Sequence, residues 1–298
     1  MTLPTTPEGW AIRLSQLLNV VAAHGGDRFP ISIATIARDY SRTVFPEAPI
    51  TRVDGMNLSK RFEGALIPNE NGEWGIFYNE NIRSTGRRNF TLAHELGHYL
   101  LHRQRGAIQC EPRQMLDWKS EYGQIESQAN IFASFLLMPL DDFREQIRSQ
   151  KPSMEMMRHL KDRYQVSLSA AILKWLNITE KRAMIVIGKD GFIDWAWCSE
   201  PLLKSGVFYR ARQDVIDLPA ASLAAQRDAT LDNVTGVMHP KGVWPNNEEV
   251  QEMMVLSRDG EITTSLLIYP DDAPNRFLVD DEEPELMDTY TKFSINSR

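Results

Sequence analysis

Cysteine is nearly absent from this chain: Cys110 and Cys198 are its two thiols among 298 residues, and they do not form a C-x-x-C pair. That excludes a disulfide framework. A Cys110–His94 nucleophile pair is conceivable, but nothing in the sequence orients it. Long apolar runs are missing too, none approaching the roughly 18 residues needed to cross a bilayer. The opening Met1-Thr2-Leu3-Pro4-Thr5-Thr6-Pro7 has neither the basic nor the apolar region of a signal peptide. The expectation is therefore a cytoplasmic protein with no membrane partner.

An excess of positive charge is also lacking, and the deficit is uneven. Residues 1–178 carry 21 Lys+Arg against 19 Asp+Glu, whereas residues 179–298 carry 12 against 21. The acidic second part argues against wide nucleic-acid contact there. Its end, Asp271-Asp272 through Asp280-Asp281-Glu282-Glu283-Pro284-Glu285, reads as a mobile acidic segment. In the first part Arg83, Arg87 and Arg88, then Arg158, Lys161 and Arg163, form basic clusters that read as solvated faces before they read as phosphate sites.

At 298 residues the chain can bury one large core or two modest ones. The pattern changes near residue 178. Before it helices dominate: Trp10 to Ala23 carries Leu14, Leu17, Leu18 and Val21 on one side, Ile31 to Tyr40 follows, and Met154 to Leu176 is a helical pair. That pair has the outline of a helix-turn-helix DNA reader, but packing on the core of the first domain is the better reading. After residue 178, Met184–Ile187 and Phe192–Trp197 flank Lys189-Asp190-Gly191, and Met253–Leu256 and Ile262–Tyr269 flank Arg258-Asp259-Gly260. Two Asp-Gly hairpins predict an antiparallel sheet. The fold class is α+β, with domains over 1–178 and 179–298.

The chemistry is concentrated in His94-Glu95-Leu96-Gly97-His98, an H-E-x-x-H motif. Residues four apart stack on one helix face, so both imidazoles reach a single Zn²⁺, with Glu95 close enough to take a proton from a bound water. Phe90, Leu92 and Ala93 before the motif and Tyr99-Leu100-Leu101 after it give the helix a buried side, and Thr91 or a residue just before it would cap the start. Gly97 costs about 1 kcal/mol against Ala in a helix. It makes sense if a second helix, carrying another ligand, approaches closely.

A catalytic zinc site takes a third protein ligand and leaves one position to water. His102 is nearest, but His94 to His102 spans two turns, about 12 Å, too far for one ion. His102 is better placed as a residue supporting the ligands or as packing. Glu126 lies 28 residues after His98 in a helical run from Ile125 to Met138 closed by Pro139, with Asn130 four residues further on the same face. A buried carboxylate and amide need a partner, but on the residues alone a surface or capping role for Glu126 is equally open.

The blocks RRNFTLAHELGHYLLH at 87–102 and ESQANIFASFLLMP at 126–139 resemble, in order, spacing and flanks, the ImmA/IrrE family of bacterial metallopeptidases. The hairpin-like Glu63–Pro68 and Trp74–Asn79 suit it as well. The resemblance spans roughly residues 10–175 and implies a mainly helical, zincin-like metallopeptidase domain with a small sheet. It implies His94, His98 and Glu126 as zinc ligands and Glu95 as general base; His102 and Asn130, placed by their helical spacing, are the candidates for supporting those ligands. It also implies a helix-turn-helix repressor as substrate, whose cleavage induces stress, DNA-damage or anti-phage genes. Family relatives often carry a GAF-like sensor domain, which the second part matches in outline only.

Residues 73–79 are the expected sheet edge for an extended substrate, and Tyr78, Tyr122 and His239 are candidates for the oxyanion-stabilising group. Two other classes compete: a sensing protein whose zinc site is structural or idle, and a regulator whose peptidase is gated by single-stranded DNA or a small ligand.

Overall fold

The structure is a computed structural model and describes residues 2–59, 61–105, 108–109, 121–211, 213–227 and 235–271, with backbone alone at 108, 109, 121 and 122. Cys110, the side chain of Tyr122 and the acidic segment beyond Asp271 lie outside the described residues. The chain divides into two compact units. Of the described residues, one takes those up to Arg148 together with Leu160–Ser167; the other takes Ser149–His159 and those from Leu168 to Asp271.

In the first unit, helix α1 (Pro7–Ala23) starts at a Thr6 cap whose Oγ1 accepts from the Gly9 amide at 3.1 Å, with Pro7 in the first turn, where no amide is needed. Its buried stripe runs through Trp10, Ala11, Leu14 and Ser15, while Leu17 and Val21 are 45% and 54% exposed. The expected face is thus corrected. The Trp10 ring decides it, wedged against Tyr40 and Phe45 at centroid distances of 6.1 and 6.2 Å. Helix α2 (Ile33–Val44) supplies Tyr40.

Strands β1 (Ile50–Met56), β2 (Gly64–Pro68), β3 (Trp74–Asn79) and β4 (Ile108–Gln109) form a sheet in the order β1-β3-β2-β4. The expected hairpin is present: β2 and β3 pair antiparallel from Gly64–Tyr78 to Pro68–Trp74. Its turn is held by the Asn69 carboxamide oxygen, which accepts from the amides of Asn71 and Glu73 at 3.0 and 2.9 Å. Strand β3 is not an edge, however. Its other side pairs in parallel with β1, from Ile50–Trp74 to Met56–Asn79, so residues 73–79 offer no open backbone row to a substrate.

Helix α3 (Thr85–His102) begins at Ser84, whose Oγ accepts from the Arg87 amide at 3.3 Å, so the cap lies several residues before the expected Thr91. Every residue from Thr91 to Leu100 is buried. Helix α4 (Glu121–Leu137) packs against α3 and α1. Pro139 ends that run and starts α5 (Leu140–Ile147). Half of the basic-cluster residues are engaged within the fold. Arg87 pairs with Glu63, Arg88 lies 5.1 Å over the Tyr78 ring, and Arg163 makes two 2.7 Å bonds to Asp142.

Helix α6 (Met154–Tyr164) is followed by α7 (Leu168–Leu176), whose successive buried residues Ala171–Leu176 leave its second half no recognition face. The expected packing holds for part of the pair: Tyr164 at the end of α6 lies against Phe29 and Phe143 of the first unit, whereas α7 packs against β5 (Ala183–Lys189) of the second. The second unit is built on a five-stranded sheet that β5 shares with β6 (Phe192–Cys198), β7 (Val237–His239), β8 (Val250–Leu256) and β9 (Ile262–Ile268), in the order β6-β5-β9-β8-β7 with every pair antiparallel. Both Asp-Gly hairpins occur where expected. Among the described residues the unit also holds two short helices, α8 (Glu200–Lys204) and α9 (Leu223–Gln226). Inside it the Glu252 carboxylate is fully buried. It accepts from the amides of Leu223 and Ala224, from Trp244 Nε1 and from Ser265 Oγ, and His239 Nε2 lies 2.8 Å away.

Candidate metal centre

Helix α3 carries polar groups in a segment buried all round, which is tolerable only if those groups find partners. His94 and His98 stand one turn apart, ring centroids 4.6 Å from each other, and their Nε2 atoms converge to 2.9 Å. Helix α4 brings the third donor. At Gly97 the helices are so close that a Cβ would stand 2.9 Å from the Phe132 ring, 3.2 Å from Ala129 Cα and 3.3 Å from the Ala129 carbonyl oxygen. The close approach expected from Gly97 is therefore real. It seats Glu126, fully buried, with one carboxylate oxygen 3.1 Å from His94 Nε2 and the other 3.2 Å from His98 Nε2. The donor atoms of these three residues lie within 4.8 Å of one another.

The donor set suits a metal ion. Two imidazole nitrogens facing one another at 2.9 Å cannot both keep a proton. The protonation balance reflects the crowding. Burial works against a charged His94, but Glu126 and then Glu95 outweigh it and push it up to about 9. Burial and the neighbouring His94 push His98 down to about 4. Burial also opposes ionisation of Glu126, yet both histidines hold its carboxyl well below the usual range. The cluster thus holds one shared proton among three inward-facing donors, and a divalent cation can replace that proton. Tetrahedral zinc with bonds near 2.0–2.1 Å would hold its ligand atoms about 3.3 Å apart, close to the spacing already present.

The rear of each ring is occupied. His94 Nδ1 donates to the Asn130 carboxamide oxygen at 2.9 Å, and Asn130 is completely buried, its Nδ2 having no hydrogen-bond partner among the described residues. An amide kept at that cost serves through its oxygen. His98 Nδ1 meets His102 Nδ1 at 3.1 Å, and His102 Nε2 meets the Gln128 carboxamide oxygen at 2.8 Å. His102 is held neutral by burial, which lowers its proton affinity.

Glu95, fully buried, turns towards β2. A Cβ at Gly64 would fall 2.5 Å from Glu95 Oε1 and 2.6 Å from Thr91 Cγ2, so the strand backbone rests against the carboxylate with no room for a side chain. Sequence reasoning missed Gly64 as part of the site, although a glycine inside a strand is itself a sign of close backbone approach. Of the oxyanion candidates, His239 is committed to Glu252 in the second unit, and the ring of Tyr78 lies beneath Arg88.

A family model for the IrrE N-terminal-like domain of the M78 peptidases matches residues 51–176. This match supports the ImmA/IrrE family for the domain over those residues. The IrrE-like span contains all three converging donors and Glu95. No curated protein matches the chain. A solved Mycobacterium tuberculosis transcriptional regulator is similar, with a TM-score of 0.52 at 13% identity over 88% of this chain and 76% of that one. At that identity the likeness is one of fold. Among the described residues no helix is long and apolar enough to cross a membrane.

Proposed function

We propose that this chain is a zinc-dependent, site-specific endopeptidase acting on a helix-turn-helix transcriptional repressor, whose loss switches on a stress, DNA-damage or anti-phage operon. The observation that carries this reading is the convergence of His94, His98 and Glu126 with Glu95 beside them on α3. We assign the peptidase to residues 1–178 and a GAF-like sensor to residues 179–298. The antiparallel β6-β5-β9-β8-β7 order supports the second assignment. A single-stranded DNA or a small ligand is the proposed activator.

His94 and His98 offer Nε2, and Glu126 offers its carboxylate, as the protein ligands of zinc. When bound, zinc would acidify a water molecule and polarise the scissile carbonyl. Glu95 takes the proton of the attacking water on its carboxylate and returns it to the leaving amine. Gly64 keeps the β2 backbone against that carboxylate and fixes where it points. Asn130 and His102 hold the two imidazoles from behind.

The test is to incubate the purified chain and zinc with a small helix-turn-helix protein encoded beside its gene. Cleavage at one site by the unmodified chain is expected, with Glu95→Gln binding zinc as before but cutting at least a thousandfold more slowly, about the scale of removing a general base. Normal turnover by Glu95→Gln would overturn the assignment. Zinc binding without any cleavage would favour a sensing regulator instead. Full-rate cleavage without nucleic acid or other effector would remove the gating.

A further inference from the structure

The two histidines facing the donor triangle are asymmetrically supported. His94 leans directly on Asn130, whereas His98 leans on another histidine, which can act as donor or acceptor and so settles nothing by itself. The chain of contacts has one consistent assignment. To offer a lone pair at Nε2, His98 must carry its proton on Nδ1. That proton points at His102 Nδ1, 3.1 Å away, which must then be bare. His102 therefore carries its proton on Nε2 and requires an acceptor, and the group 2.8 Å away is the Gln128 carboxamide oxygen, which can do nothing but accept.

Resting on the zinc-peptidase reading, we propose that Gln128 is a positioning residue for the metal centre, fixing the His98 tautomer through His102. Gln128 touches neither metal nor substrate; its effect passes along two hydrogen bonds. Helix α4 then governs all three ligands. It carries Glu126 itself, Asn130 behind His94, and Gln128 behind His102 and His98. If the terminal acceptor is lost, the His102 proton is free to move to Nδ1, where it confronts the proton of His98. Relieving that clash rotates the His98 ring or moves its proton to Nε2, and either change removes the metal's lone pair.

Gln128 is exposed on α4, so replacing it leaves the buried helix contacts of Gly97, Ala129 and Phe132 intact. The informative pair is Gln128→Leu, which removes the acceptor, and Gln128→Glu, which keeps one. Leu is preferred to Ala because water entering the space left by Ala would accept the same proton. Zinc affinity of the full chain, measured by competition with a chromophoric chelator, should fall about tenfold in Gln128→Leu, the lower end of what supporting residues contribute. It should return to within about twofold of the unmodified value in Gln128→Glu. Long-range proton–nitrogen correlation spectra of the zinc-loaded protein should show the hydrogen-bonded Nδ1 proton of His98 in the unmodified and Glu forms, and its shift or loss in the Leu form. Equal zinc affinity and an unchanged His98 signal in all three would overturn the relay while leaving the peptidase reading untouched. Failure of the unmodified chain to bind zinc would instead overturn the peptidase reading and this inference with it.

Discussion

Replacing Gly97 by Ala tests whether the metal centre depends on how closely α3 and α4 approach. In an isolated helix the change is favourable by about 1 kcal/mol, because alanine loses less conformational freedom than glycine on folding. Here the new methyl would stand 2.9 Å from the Phe132 ring, 3.2 Å from Ala129 Cα and 3.3 Å from its carbonyl oxygen. Phe132 is fully buried and Ala129 is contacted through its backbone, so neither yields by rotating a side chain. Overpacking of this kind costs about 1–3 kcal/mol, leaving a net loss of up to about 2 kcal/mol. The second consequence is more specific. Restoring ordinary contact of about 3.5–4.0 Å moves α4 away by about 0.5 Å, whereas metal–ligand distances hold to about 0.2 Å. Glu126 rides on α4, so zinc affinity should fall at least tenfold even where the fold survives. Chelator competition reads the affinity, and thermal unfolding of the metal-free chain reads the packing. A variant that gains the full helix-propensity increment and binds zinc as tightly as before would refute the account of Gly97.

Two further expectations concern groups away from the metal. Burial opposes ionisation of Asp142, but the Arg163 guanidinium and the Tyr164 hydroxyl outweigh it and hold the carboxyl below its usual range. Its contribution is therefore present above the unfolded value near 3.9 and is lost as pH falls through the lower folded value. Asp142→Asn should cost roughly 1–2 kcal/mol near neutrality, discounted for the partial exposure of Arg163, and the gap in melting temperature should close towards pH 3; a gap that widens with acid would contradict this. In the second unit, Glu252→Ala strands the buried donors of Leu223, Ala224, Trp244 and Ser265 together with His239, and should cost about 3–5 kcal/mol in urea unfolding followed by circular dichroism. A loss below about 1 kcal/mol would mean that water or a local shift replaces the carboxylate.

The histidine pair was legible because its spacing matches the helical turn, and Gly97 because a costly residue inside a helix asks for a reason. Glu126 was not legible from periodicity: the pattern around it marks a buried helix but does not say which distant helix it meets, and only the family resemblance joined the two blocks. The Asp-Gly hairpins were readable because those turns restrict the backbone locally. The sheet edge was misplaced because β1, with Arg52, Asp54 and Gly55 in its length, carries little strand signal and reaches β3 through a parallel, non-local pairing. Leu17 and Val21 misled because α1 has more apolar residues than its buried stripe uses. Gln128 left no trace at all: an exposed glutamine on a helix is ordinary until the residue at its tip is known.

The division of labour between the two helices has an energetic consequence. All three histidines come from α3, while the carboxylate and both carboxamides come from α4. The contact that lets them meet is apolar and tight, through Gly97, Ala129 and Phe132. Docking the helices without a cation buries an ionised Glu126 against two imidazoles that share one proton, so part of the apolar gain offsets the desolvation of that cluster. A cation bound there replaces the proton, satisfies all three donors at once and favours the docked arrangement by the free energy of its own binding. Metal affinity and helix docking are therefore one linked equilibrium. A change that loosens the α3–α4 contact must weaken zinc, and zinc must in turn resist that loosening, whether or not the changed residue lies near the ion.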